Sequence, residues 1–324
     1  MGAPAARRDS AERVAPVLWI ALAVGAALVA GILAGTFAAG DLTLAATAFR
    51  GSTDAAAVAA VGLGLVTVLV PTSARDSRGT TVIRRGDRAT VVVAAGWLIA
   101  TLVSLAVRTA EAYGRPLGSI GAAEVGTFAT RIAAGRGVVL TALCAIAVLG
   151  CAIARLRNPD AVPGRIVLVA ALLGALTPAV TGHTGSSPDH QLAVVTVALH
   201  VGASALWVGG LGVLLVLIAP QRALLDRALP RFSRIATVCV FGTALTGVAN
   251  AALRLPTLPA LVTSGYGVLI LVKTALVAIL GGLGWLARRR LQRGTLPVLR
   301  WAGIEVTVMA LTIGVAAALS QTAP

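Results

Sequence analysis

The sequence predicts an all-α, polytopic helical membrane protein of about nine transmembrane helices, N-terminus in and C-terminus out. Three observations carry that prediction. Of 324 residues, 57% are hydrophobic and 12% charged, against about a quarter charged in an average soluble domain, and mean hydropathy is +0.91. Apolar runs of spanning length recur from end to end, and a helix closes its own backbone hydrogen bonds in lipid. The third observation is that the arginines sort to one side of the bilayer. The alternating ten-residue segments of a membrane β-barrel are absent.

The apolar runs fall at about 16–37, 54–71, 90–108, 137–154, 165–182, 192–219, 235–253, 266–287 and 301–319. The first follows Arg7, Arg8 and Arg13, as a signal peptide would. At about 20 residues it is nearer a spanning helix, so an uncleaved first helix is expected, with cleavage near Ala39 as the minority alternative. The second run is short, and the sixth is long enough to tilt or to protrude. With the N-terminus inside, the inner segments hold 20 arginines and the outer segments 6. That bias follows the positive-inside rule and supports nine spans with the N-terminus inside and the C-terminus outside. Lys273, inside the eighth run, is the sole lysine.

The net charge of +15 does not indicate nucleic acid. The arginines lie in short segments between apolar runs, with no basic stretch interleaved with aromatics. The lipid bilayer is the expected partner. Residues 1–160 read as four membrane helices and 161–324 as a five-span membrane region. The outer segment 109–136 is polar and Gly-rich, and a short interfacial helix is expected in it. The inner segment "RDSRGTTVIRRGDR" (75–88) reads as a solvated loop. Gly31 and Gly35, at GxxxG spacing, and Gly281, Gly282 and Gly284 read as close helix-packing positions.

All three histidines, His183, His190 and His200, fall within "GHTGSSPDHQLAVVTVALH". The topology makes 182–191 an outer hairpin and puts His200 about 12 Å deep in the sixth span by helical rise. An ionisable group at that depth is a functional candidate. On the seventh span, Thr243, Thr246 and Asn250 share one face. Lys273 reaches a depth of about 10 Å on the eighth. A polar cavity opening outward would be lined by His183, Asp189, His190, His200, Thr246, Asn250 and Lys273. Imidazole is the commonest side-chain metal ligand and suits copper, zinc, iron or nickel. The three histidines would close a three-nitrogen site or pass an ion from loop to helix. Lys273 would oppose a cation by Coulomb repulsion. It is therefore uncharged, paired with Asp189, or set against an anionic ligand.

Cys144, Cys151 and Cys239 lie in apolar runs and form no CxxC pair. Thiolates suit Cu(I), which makes Cys151 and Cys239, near the inner ends of their spans, candidates for an exit site. Small hydrophobic packing is the competing account.

From His200 onward the chain resembles the copper resistance protein D family of bacterial copper-uptake and copper-resistance membrane proteins. The resemblance rests on "HVGASALWVGGL" with His200, Trp207, Gly209 and Gly210, then "RFSRIATV" and "TGVANAALRL" with Thr246 and Asn250. "SGYGVLILVKTALV", with Tyr266 and Lys273, "RRRL" and "GIEVTV" follow in the family's order. "GHT" at 182–184 resembles the family's Gly-His element. The domain would cover about 193–319. Ala287 stands where the family tends to have Asn. The resemblance implies copper movement across the cytoplasmic membrane, usually import, with Trp207 and Tyr266 beside the cavity. It also implies a copper ion as ligand and a periplasmic or extracellular copper-binding protein as partner.

Two alternatives remain open from the sequence. Buried histidine with Arg254 or Lys273 would suit a haem-binding electron-transfer protein. A non-transporting assembly scaffold for a copper enzyme would use the loops instead. An enzyme is not expected: Ser186, Ser187, Asp189 and His190 are neighbours in a turn-forming stretch rather than a convergent triad. No phosphate-binding loop is present for ATP-driven transport.

Overall fold

The computed structural model describes residues 44–70, 77–181, 190–254 and 259–292, with 304, 307, 308, 311, 312 and 315. The described residues are helical, without strands. The first predicted span, most of the ninth, and the loop holding His183 and Asp189 lie outside them. The other seven predicted spans each correspond to a helix long and apolar enough to cross a membrane.

The chain divides into two compact units, Ser52–Leu253 and a second composed of Met1–Gly51 with Arg254–Pro324. In the first unit lie α1 (Leu44–Leu69, beginning just before it), α2 (Ser77–Tyr113), α3 (Ala122–Arg131), α4 (Ala133–Arg157) and α5 (Gly164–Thr181). They are followed by α6 (His190–Val213), a π-helical turn at Leu214–Ile218, and α7 (Arg222–Arg254). The second unit contains α8 (Ala260–Thr263) and α9 (Gly265–Gln292).

The core of the first unit forms where α1, α2, α4, α5 and α6 converge. Ala60, Val61, Ala94, Trp97, Ala145, Val148 and Ala171 are fully buried there. Small residues set the spacing, because lipid supplies no hydrophobic drive between helices and packing must do the work. A Cβ built on Gly62 of α1 would overlap the Gly209 backbone of α6, and one on Gly64 would sit 2.7 Å from the Leu168 Cα of α5. Gly174 leaves room for the Trp97 indole: a Cβ there would lie 2.5 Å from the ring. The close approach is therefore at Gly62 and Gly209. At Gly281, Gly282 and Gly284 a Cβ would meet nothing within 4 Å among the described residues.

The segment expected as a solvated loop at 75–88 is helical from Ser77. Gly79, Val82, Gly86, Asp87 and Thr90 are buried, a stripe at helical spacing that faces the bundle. Asp87 accounts for the difference. Its carboxylate takes a two-pronged contact from Arg155 of α4, Nε to Oδ1 at 2.8 Å and Nη2 to Oδ2 at 3.3 Å. Arg155 Nη1 also donates to the Val162 carbonyl at 2.7 Å. This tie holds α2, α4 and the α4–α5 connection together. At 37 residues, α2 is about 55 Å long by helical rise, well over the roughly 30 Å hydrocarbon layer.

The expected short helix in 109–136 is α3. Glu124 caps it by accepting from the Gly121 backbone N–H at 2.6 Å, and pairs with Arg115. Phe128 is the buried side chain that anchors it. In the second unit Leu269 and Val315 form a small core with Leu276 and Leu311. There the Arg289 guanidinium stacks 3.9 Å over the Trp285 ring, the type of aromatic and basic pair found at membrane interfaces.

Candidate metal site on the α6–α7 seam

Most helix contacts in the first unit are apolar, but α6 and α7 meet through polar side chains. Thr196, His200 and Ser204 recur at four-residue spacing along α6. Opposite them on the antiparallel α7 stand Asn250, Thr246 and Thr243. Thr196 Oγ1 meets Asn250 Oδ1 at 2.9 Å. His200 Nδ1 meets Thr246 Oγ1 at 3.0 Å. Ser204 Oγ and Thr243 Oγ1 lie 3.3 Å apart as a hydroxyl pair. The result is three rungs between two helices.

Helix geometry sets the register. Residues four apart lie on one face about a turn apart, so an α6 stripe of period four matches the 243–246–250 stripe. The hydroxyls also satisfy their own helices. The Leu192 carbonyl, 2.8 Å from Thr196 Oγ1, competes with Asn250 Oδ1 for its one hydroxyl proton, and Thr246 Oγ1 donates to the Gly242 carbonyl at 2.6 Å. Gly247 flanks the imidazole, and a Cβ there would make ordinary contact at 3.5 Å from His200 Cε1. Thr243 and Thr246 are buried and His200 is half-buried. Trp207, two turns along α6 from His200, is also buried. The α7 stripe continues to Cys239, a buried free thiol.

The predicted residues thus separate into groups. His200, Thr246, Asn250 and Trp207 lie on or beside the seam. His190 begins α6, but its side chain, like that of Tyr266 on α9, lies outside the described residues, as do His183 and Asp189 altogether. Lys273 is half-buried on α9 in the second unit. Cys151, on α4, packs against the apolar core of the first unit. Among the described residues, no three of His, Cys, Asp and Glu gather closely enough to hold a metal ion. The metal-type donors described on the seam are His200, with oxygen-bearing neighbours around it, and Cys239 further along the α7 stripe.

Sequence reasoning missed Thr196 and Ser204. Their signal was present: each stands one helical turn from His200 and faces the α7 stripe already singled out. The Asp87–Arg155 tie was missed because arginine-rich segments beside a membrane are usually solvated.

Comparison with known proteins adds the lineage. Residues 226–319 match the family model for copper resistance protein D. Residues 40–189 match that for the copper resistance protein D-like N-terminal domain. Together these cover about three quarters of the chain, and the likeness reaches well ahead of the stretch that carried it in the sequence. The copper transport protein CutJ of Bacillus subtilis (strain 168) is 29% identical over 147 residues, which are 42% of this chain and 27% of that protein. The chain thus matches only about a quarter of that relative's length. No solved structure matches. With both halves of the family pattern present on an all-helical membrane scaffold, the chain belongs to the copper resistance protein D family.

Proposed function

We propose that the chain carries copper ions inward across the bacterial cytoplasmic membrane, with His200 as the ligand held within the bilayer. The N-terminus is inside and the hairpin at 182–191 outside. His183 and His190 receive the ion there from a periplasmic or extracellular copper-binding protein, and His200 takes it below the surface. Asn250 lines the path beside His200, and Cys151 and Cys239 serve the inner exit. No catalytic step belongs to this reading, and movement is passive or ion-coupled.

The observation that carries the proposal is the His200–Thr246 contact across α6 and α7, at 3.0 Å. A histidine needed only to glue helices would serve equally on any seam. This one is flanked by hydroxyl and amide groups, a setting that favours a cation over apolar packing. The family membership supports copper as the ion.

The test is copper accumulation in cells expressing the protein. His200→Ala is expected to lower accumulation to near the level of cells lacking the protein, and His183→Ala to lower it less. Unchanged accumulation in both variants, at equal membrane abundance, would remove the site assignment.

A further inference from the structure

The exposed face of α2 changes character along the helix. Val92, Ile99 and Leu102 are each more than half exposed. Their spacing puts them on one helix face, and an exposed apolar stripe on a membrane protein lies against acyl chains. Followed back toward the start of α2, that face carries Arg88 and Arg84, one and two turns before Val92, with Arg85 beside them. All three arginines are exposed. The buried stripe of Gly79, Val82, Gly86 and Thr90 lies on the side toward the bundle.

Depth follows from helical rise. Between Arg88 and Arg108 α2 has no charged residue, and the two stand about 30 Å apart along the axis. That matches the hydrocarbon layer of roughly 30 Å. Arg88 is therefore at the hydrocarbon boundary, and Arg84 lies about 6 Å further out, at headgroup level.

The charge here has no local counterweight. Asp87 is the one acid on α2 before Glu111, and its carboxylate is committed to Arg155. The same contact ties these turns to α4, so the basic face has a fixed place. Cβ atoms four residues apart on a helix are about 6 Å from each other, and the guanidinium fork matches phosphate oxygens. Because the basic face continues the acyl-contacting stripe without a break, the nearest phosphates belong to lipids packed on α2 itself.

We propose that Arg84, Arg85 and Arg88 bind the phosphate headgroup of an anionic phospholipid whose acyl chains lie along Val92, Ile99 and Leu102. With the N-terminus inside, the lipid is one of the cytoplasmic leaflet. The site is separate from the α6–α7 seam and does not depend on the proposed copper path.

The experiment is thermal unfolding of the full chain in detergent, titrated with phosphatidylglycerol or phosphatidylcholine in mixed micelles. Phosphatidylglycerol is expected to raise the parent's Tm more than phosphatidylcholine does. Arg84→Gln/Arg88→Gln should weaken the apparent affinity for phosphatidylglycerol roughly thirtyfold, at about one decade or slightly less for each arginine. Arg131→Gln/Arg136→Gln, which removes the same charge from the other end of the bundle, should keep the preference. High salt should erase the preference in the parent protein, a measurement that needs no variant. A preference that survives high salt, persists in Arg84→Gln/Arg88→Gln, or is lost equally in Arg131→Gln/Arg136→Gln overturns the proposal. So does an equal Tm rise with inorganic phosphate alone, which would make this a site for soluble anions.

Discussion

The junction of α1 with α5 and α6 and the junction of α6 with α7 share a helix but are built on opposite principles. At the first, glycines remove side chains so that backbones nearly touch, as at Gly62 against Gly209. At the second, side chains meet through three polar contacts spaced a turn apart. The glycine approaches let helix backbones pack directly at the first junction, whereas the second is spanned by side-chain hydrogen bonds; the proposed ligand-binding role of His200 is one use for such a polar seam.

The comparison can be broken most severely at its packed side. Gly62→Leu or Gly209→Leu would force a side chain into backbone, with no flexible neighbour able to give way. Overpacking costs about 1–3 kcal/mol in ordinary cores, occasionally more, and here the strain falls on main chain. Loss of the monodisperse folded protein in detergent is expected for both. Gly150→Leu is the control, because a Cβ there meets nothing within 4 Å among the described residues. If Gly62→Leu behaves like Gly150→Leu, the α1–α6 approach is not close.

The Asp87–Arg155 tie ranks next. Asp87→Ala would leave Arg155 buried without its carboxylate, a loss of about 3–5 kcal/mol for a broken buried pair. Replacing both partners, as Asp87→Leu with Arg155→Met, should recover much of that loss. Thermal unfolding in detergent measures both. An Asp87→Ala protein as stable as its parent would show that the pair is solvated, in keeping with the solvated loop expected from the sequence at 75–88.

Why some of this was legible in the sequence and some not follows from how each feature is encoded. The described spans were readable because an apolar run of about twenty residues is rarely anything but a membrane helix. α3 was foreseen from an outer segment too long for a simple turn. His200, Thr246 and Asn250 were found because a polar group deep in an apolar run stands out. Thr196 and Ser204 did not stand out, since threonine and serine occur on many membrane helices, where they bond to their own backbone. Only the partner helix across the seam gives them a role beyond their own helix. Asp87 was hidden by its arginine neighbours: Arg84, Arg85 and Arg88 make the local sequence look like loop. The buried side of that helix depends on Arg155, 68 residues away, which no local pattern contains.

The smallest predicted effect sharpens the contrast from the polar side. Thr196→Val keeps the side-chain shape and removes the hydroxyl that reaches Asn250. Interhelical hydrogen bonds in membranes average about 0.6 kcal/mol, because the unfolded chain in lipid also finds partners. The Leu192 carbonyl loses only a supplementary contact, since it keeps its place in the helix. Stability should therefore fall by roughly 0.6 kcal/mol in reversible unfolding, far less than at Asp87. A fall of several kcal/mol would mean that the rungs themselves hold α6 to α7, and the seam would then be structural glue. A small fall in stability with reduced copper accumulation would put the cost of the polar seam on the ligand's side: hydroxyls and amide would be there for what passes His200, with helix packing carried elsewhere.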